Sequence, residues 1–146
     1  MSKIAIFPGT FNPFTIGHYS LVKRALTIFD KVIIAIGINT SKDYNYDEIE
    51  ENRLQIATLF KSENVKVITY TNLTADLVKA ENASCIVRGI RGTSDYEYEK
   101  NMADINKELF DIETVFLFSD IKYAHISSSL IRELKRFGKD YKHLLP

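Results

Sequence analysis

Residues 4–18 read Ile4-Ala5-Ile6-Phe7-Pro8-Gly9-Thr10-Phe11-Asn12-Pro13-Phe14-Thr15-Ile16-Gly17-His18. This is a short apolar run followed by a turn holding two of the chain's three prolines, two of its six glycines and one of its three histidines. An apolar run without alternation suits a strand covered on both faces, as in a parallel sheet. Beyond the turn, Leu21, Val22, Ala25, Leu26 and Phe29 recur at helical spacing. The segment therefore reads as strand, turn, helix. Within the turn, Gly9 permits close backbone approach and Pro13 stiffens the chain. Thr15 is the expected N-cap of a helix that His18 begins, and the amide donors and positive end of that helix suit a phosphate.

The pattern repeats along the chain. Val32 to Ile38, Val65 to Tyr70, Cys85 to Val87 and Thr114 to Phe118 are further strand-like runs rich in Ile, Val and Phe. Between them, apolar residues fall at helical spacing at Ile49, Ile56, Ala57, Leu59 and Phe60, at Leu73, Leu77 and Val78, and at Met102, Ile105 and Leu109. Leu130, Ile131, Leu134 and Phe137 form a last helix that Gly138 ends. Strict alternation predicts an α/β fold: a doubly wound, five-stranded parallel sheet, Rossmann-like, with helices on both faces. No repeat or linker divides residues 1–146, so one domain is expected. Asn39 to Asp47 is the least regular stretch and reads as a mobile loop with Tyr44 and Tyr46 facing solvent.

Composition narrows the function. Nineteen basic and nineteen acidic side chains cancel, which argues against nucleic-acid or anionic-membrane binding, so any anion site must be local. Cys85, the one cysteine, excludes an internal disulfide and a cysteine-based zinc site and fits a reducing compartment. No stretch has the apolar length of a membrane span, and Met1-Ser2-Lys3 leads into a strand without a secretory pattern, so a cytoplasmic protein is expected.

Ligands of open parallel sheets bind outside the carboxyl ends of the strands, where strand order reverses. Four polar clusters fall there: the Pro8–His18 turn, Lys42 in Asn39-Thr40-Ser41-Lys42, Arg88-Gly89-Ile90-Arg91-Gly92, and Ile126-Ser127-Ser128-Ser129 opening the last helix. Two glycines between two arginines suggest a backbone nest with bidentate phosphate donors. No GxGxxG follows the first strand, and neither GxxxxGK[ST] nor GxSxG occurs, which argues against dinucleotide oxidoreductases, P-loop NTPases and α/β-hydrolases. A phosphate-binding α/β domain with a histidine at its first helix remains.

Thr10-Phe11-Asn12-Pro13 with Gly17-His18 resembles the T/HxGH motif of the nucleotidylyltransferase superfamily, and Ile126-Ser127-Ser128-Ser129 is similar to its late serine element. Arg88-Gly89-Ile90-Arg91, Asp95-Tyr96-Glu97-Tyr98-Glu99 and Asn106 resemble the phosphopantetheine adenylyltransferases of bacteria, over Lys3 to Pro146. The resemblance implies transfer of AMP from ATP to 4′-phosphopantetheine, with dephospho-coenzyme A and pyrophosphate as products. It implies that His18, with Thr10, Lys42 and Arg91, carries catalysis. It implies an ATP site of Thr10, Phe11, His18, Gly89, Ile90, Arg91 and Glu99, continued by Tyr123, Ala124, His125, Ile126 and Ser127 to Ser129. Thr10, Lys42, Thr74, Arg88 and Asn106 would bind the acceptor; Thr74 stands where the family commonly has Leu or Met. Mg2+ would arrive with ATP, no carboxylate cluster being evident to hold it. A homohexamer and product-like inhibition by coenzyme A are also implied. Two rivals are a nucleotidylyltransferase for another phosphorylated acceptor, such as nicotinamide mononucleotide, and a noncatalytic nucleotide-binding module.

Overall fold

The computed structural model describes residues 2–146. Among them, five strands alternate with five α-helices: β1 (Ile4–Gly9), α1 (Ile16–Ala25), β2 (Lys31–Gly37), α2 (Tyr46–Leu59), β3 (Val65–Tyr70), α3 (Thr74–Ala80), β4 (Cys85–Ile90), α4 (Thr93–Phe110), β5 (Thr114–Phe118) and α5 (Ser128–Arg136). The sheet order is β3-β2-β1-β4-β5 and every pair is parallel. The doubly wound, Rossmann-like sheet expected from the alternation is what forms. The chain winds outward from β1 to β3, then returns to β4 on the other side of β1, so strand order reverses between β1 and β4. A crevice opens at their carboxyl ends for that reason.

The apolar runs are continuous because both faces of the inner strands are covered. Ala5 and Phe7 of β1 and Val32, Ile34 and Ile36 of β2 pack with Val22 and Ala25 of α1 and with Ile56 and Phe60 near α2. Ile6, Ile33, Ala35 and Ile86 belong to the opposite layer, with Ala75, Leu77 and Val78 of α3. A third cluster of Ile126, Ile131 and Leu144 lies beneath α5.

Local details depart from the sequence reading in three places. Helix α1 starts at Ile16, two residues before His18, with Thr15 as the expected N-cap. Helix α2 starts at Tyr46, because the Asn45 side chain accepts from the amides of Asp47 and Glu48, and the irregular stretch is shorter than Asn39 to Asp47. Strand β4 continues to Ile90, and Gly92 is extended with φ −178°. Arg88, Gly89 and Ile90 are therefore strand residues, and the expected nest of backbone amides is not formed. Tyr44 and Tyr46 are exposed, as expected, and Gly138, with φ 68°, follows α5.

Gly89 explains how α1 reaches the sheet. A side chain at Gly89 would collide with Leu21 Cδ1, the tip of a buried side chain on α1. Gly89→Ala should therefore cost about 1–2 kcal/mol in urea unfolding, as overpacking does. The cost should shrink in a Leu21→Ala background, because contacting sites couple. Equal costs in both backgrounds would show that the contact is not tight.

Candidate active site

The turn from β1 into α1 builds the first wall. Phe11 adopts φ 49°, and its ring folds back over Gly9, where a Cβ would lie 2.8 Å from Phe11 Cζ. Only glycine leaves room for the ring, and the ring in turn packs edge-on against His18, with centroids 5.0 Å apart at 84°. Phe14 lies on the imidazole at 5.3 Å and Phe7 at 6.1 Å.

Thr15 and His18 cap the helix reciprocally. The His18 amide donates to Thr15 Oγ1 at 3.1 Å, and the Thr15 amide donates to His18 Nδ1 at 3.0 Å. Histidine occupies the third helical position, where a capping box usually has Glu or Gln. An amide can only donate, so Nδ1 is the acceptor and the proton of the neutral ring sits on Nε2. Burial, then the charges of Arg88 and Arg91, lower the His18 pKa from 6.5 to about 4. At neutral pH the side chain is a fixed, uncharged Nε2–H donor. It can stabilise an anionic oxygen, and it has no spare proton to give as an acid.

The cleft above the sheet has two lobes. One, of about 300 Å³, is bounded by the β1–α1 turn, His18, Arg91 and the start of α5. The other, of about 430 Å³, is bounded by Tyr70, Leu73, Thr74, Tyr98, Met102 and Asn106. Pro8, Gly9, Thr10, Arg88 and Glu99 line both, so the lobes meet there.

Arg88 is fixed at that junction. Its Nε and Nη2 donate to the two carboxylate oxygens of Glu99 at 2.9 and 2.6 Å, and Nη1 donates to the Pro8 carbonyl. Burial opposes the guanidinium charge, but the Glu99 pair outweighs it and raises the Arg88 pKa. Arg91 is held similarly: Nε and Nη2 donate to Asp95 at 3.0 and 3.2 Å, and Nη1 donates to the Ile126 carbonyl at 3.3 Å. Burial works against the Asp95 carboxylate, yet the Arg91 donors hold its pKa below the usual range.

The start of α5 closes the smaller lobe. Ser127 is its N-cap and accepts from the Leu130 amide, Ser128 Oγ donates to the Pro13 carbonyl, and Ser129 Oγ accepts from Arg132. The serine hydroxyls are thus largely engaged within the protein. The first-turn amides of Ser128 and Ser129 have no acceptor among the described residues and remain as anion donors.

Of the expected site residues, Thr10, Phe11, His18, Gly89, Arg91, Glu99, Tyr123, Ile126 and Ser127 to Ser129 line the smaller lobe. Thr74 and Asn106 line the larger, and Arg88 both. Four expected residues do not come in. Lys42 is exposed in the turn after β2 and borders neither lobe, because the β2–α2 connection carries it outward. Ile90 is buried at the end of β4 and borders neither lobe, and Ala124 and His125 sit outside the lining. Glu99, expected to meet ATP, has both oxygens on Arg88. Sequence reasoning missed Asp95 as the holder of Arg91 and Arg132 as a lining cation. Their signals were present, since Arg91 and Asp95 are four apart and Ser129 and Arg132 three apart at helix spacing.

Two measurements check this geometry. The folded His18 pKa lies below the unfolded value, so the unfolded chain alone takes up a proton as pH falls from about 6.5 to about 4. His18 should therefore cost up to about 3 kcal/mol of stability across that window, with no effect above it. His18→Gln should lack that loss, and parallel pH-stability curves for the two proteins would refute the assignment. Glu99→Leu should cost about 3–5 kcal/mol by stranding Arg88, while Arg88→Met with Glu99→Leu should recover much of it. Failure of the double variant to recover would mean the pair is not the unit.

Comparison with known proteins agrees with the geometry. Residues 6–134 match the cytidylyltransferase-like family. The phosphopantetheine adenylyltransferase of Phocaeicola vulgatus is 52% identical over 143 residues, covering 97% of this chain and 94% of the relative. That of Porphyromonas gingivalis is 49% identical over 145 residues, covering 99% and 94%. In three dimensions the chain superposes with TM-score 0.63 and 19% identity on a bifunctional NMN adenylyltransferase/ADP ribose pyrophosphatase of Francisella tularensis complexed with AMP and a manganese ion. That match covers 99% of this chain and 44% of the other, and it speaks for the fold. The chain therefore belongs to the cytidylyltransferase-like nucleotidyltransferases and, within them, to the phosphopantetheine adenylyltransferase family.

Proposed function

We propose that the cleft transfers the adenylyl group of ATP to the phosphate of 4′-phosphopantetheine, a step of coenzyme A synthesis, with ATP in the smaller lobe and the acceptor in the larger. The observation that carries this reading is the junction: two lobes of different character meet at Thr10 and Arg88, within the wall that holds His18. The acceptor phosphate is already an anionic nucleophile, so no general base is required. Catalysis reduces to holding two polyanions in line and offsetting charge on the transferring phosphoryl group.

His18 donates from Nε2 to an α-phosphate oxygen, and Thr10 holds a neighbouring oxygen. Arg88, with two N–H groups left after Glu99 and Pro8 are served, receives the acceptor phosphate. Arg91 and the amides of Ser128 and Ser129 receive the triphosphate. Tyr70, Leu73, Tyr98 and Met102 offer apolar surface to the pantetheine arm, and the Thr74 hydroxyl, bonded to Tyr70 at 2.8 Å, and Asn106 meet its amides. Lys42 joins the acceptor phosphate by moving inward with its turn.

Magnesium enters as the counter-ion of ATP. The carboxylates of the smaller lobe, Asp95 and Glu99, are committed to arginines, which leaves the triphosphate oxygens and water as its ligands. No helix among the described residues is long and apolar enough to cross a membrane, which is compatible with a cytoplasmic enzyme. A homohexamer inhibited by coenzyme A is part of the same reading. The exposed stripe of Tyr98, Met102, Ile105 and Leu109 along α4 supports self-association of some kind.

Purified protein given ATP, magnesium and phosphopantetheine should release pyrophosphate, and nicotinamide mononucleotide should not replace the acceptor. No release would overturn the reading, and release with the mononucleotide alone would favour the rival acceptor. His18→Ala should lower kcat by about 100- to 1,000-fold, in line with losing one preorganised donor, with the ATP dissociation constant little changed.

A further inference from the structure

The end of β1 and the turn after it are held at four carbonyls by side chains from three other elements. Arg88 Nη1 of β4 donates to the Pro8 carbonyl, Arg132 Nη1 of α5 to the Asn12 carbonyl at 2.6 Å, and Ser128 Oγ of α5 to the Pro13 carbonyl at 2.8 Å. The fourth clamp comes from α2, where Asn52 Nδ2 donates to the Phe11 carbonyl at 3.0 Å. Arg88, Arg132 and Ser128 also line the smaller lobe, whereas Asn52 lines neither. Asn52 therefore reaches the reacting groups through the turn.

It holds the residue of this turn whose backbone is left-handed. Phe11 sits at φ 49°, a conformation that a side chain disfavours and that persists only where its surroundings impose it. In that conformation the Phe11 ring lies over Gly9 and meets the His18 imidazole edge-on at 5.0 Å. The Thr15 amide fixes His18 at Nδ1. The tilt of the imidazole about that bond, and with it the direction of Nε2–H, depends on the aromatic rings packed around it. Asn52 acts from a rigid base: Ile56, one turn further along the same face of α2, is buried in the core that β1 and α1 share. A carbonyl can only accept, so the amide nitrogen of Asn52 is the atom that faces it.

Resting on the proposed adenylyl transfer, we infer that Asn52 is a positioning residue for that reaction. By holding the Phe11 carbonyl, it keeps the Phe11 ring against His18 and the Nε2–H donor aimed at the transferring phosphoryl group. Releasing that carbonyl lets the donor tilt off line, and the loss falls on the transition state more than on the bound ground state.

The test joins steady-state kinetics to the NMR signals of the His18 ring, whose carbon-bound protons sense the ring current of Phe11. The chain has three histidines, so histidine-labelled protein and a His18→Gln spectrum identify the signals. Asn52→Leu removes the donor and should lower kcat by roughly 10- to 100-fold, as a displacement of about 1 Å does. The KM for ATP and for phosphopantetheine should change less than about threefold. The His18 signals should move, and Asn52→Gln, which keeps an amide donor on a longer stem, should bring rate and signals partway back. Asn52→Ser, whose hydroxyl is too short to reach the carbonyl, takes the place of Asn52→Leu if the latter does not fold. An unchanged kcat, a loss confined to KM, or a fallen kcat with unmoved His18 signals would overturn the inference. So would equal losses in Asn52→Leu and Asn52→Gln, which would make Asn52 a packing contact. The NMR readout needs no turnover. A wild-type protein inactive toward phosphopantetheine would therefore sink the proposed transfer, whereas unmoved His18 signals in Asn52→Leu would sink the role of Asn52 by themselves.

Discussion

The bidentate pair between Arg88 and Glu99 is the interaction on which the cleft depends. Burial opposes the charge of this guanidinium on an inner strand, and removing its partner would leave that charge uncompensated. Glu99, 8% exposed on α4, supplies that partner. The pair binds the second turn of α4 to the carboxyl-terminal half of β4 and, through the Pro8 carbonyl, to β1. The two strands that flank the topological reversal are thereby tied at the point where both lobes begin. Arg91 and Asp95 repeat the device one step along, joining the start of α4 to the segment that leads into α5.

This arrangement explains how a chain with no net charge can present an anion site. Each paired arginine contributes directed N–H groups while its carboxylate cancels most of its field. What this wall offers to a phosphate is then directed donors: the remaining guanidinium N–H groups, the open amides of two helix starts and the Nε2–H of His18. The histidine fits this logic, because burial and the charges of Arg88 and Arg91 hold it neutral, and the Thr15 amide on Nδ1 leaves it one donor in one orientation. A protonated imidazole among three arginines would add charge repulsion to an already crowded wall. The neutral tautomer adds a donor and no charge.

Much of this fold is legible in the sequence because burial on both faces removes the alternation that a half-covered sheet would show, so Ile4 to Phe7 and Val32 to Ile36 read as strands at once. The carboxyl end of β4 was harder. Arg88 and Gly89 look like turn residues, yet Arg88 is accommodated by an acid eleven residues away, and Gly89 is small because Leu21 of α1 needs the room. Neither reason is visible without the third dimension. The same blindness affects the site: spacing and resemblance identify His18, Thr10 and the serine turn, and Thr15 and Ser127 were readable as caps. That Glu99 serves an arginine, and that Lys42 stands outside the lobes, depends on how α4 and the β2–α2 connection are placed.

The unlike character of the lobes follows from what surrounds each. The smaller is framed by two helix starts, and a helix start exposes amides whatever its sequence, so that lobe is polar by construction. The larger lies between the ends of β1 and β2, the start of α3 and the flank of α4, where Tyr70, Leu73, Tyr98 and Met102 leave apolar surface open. Leu73 is 59% exposed and Tyr98 65%, so this lobe presents open apolar surface. In the proposed reading, the arm of a long, weakly polar acceptor would cover that surface and its phosphate would reach Arg88 at the junction. The two lobes share Pro8, Gly9, Thr10, Arg88 and Glu99, so a group passed from one to the other would cross where the ends of β1 and β4 meet α4.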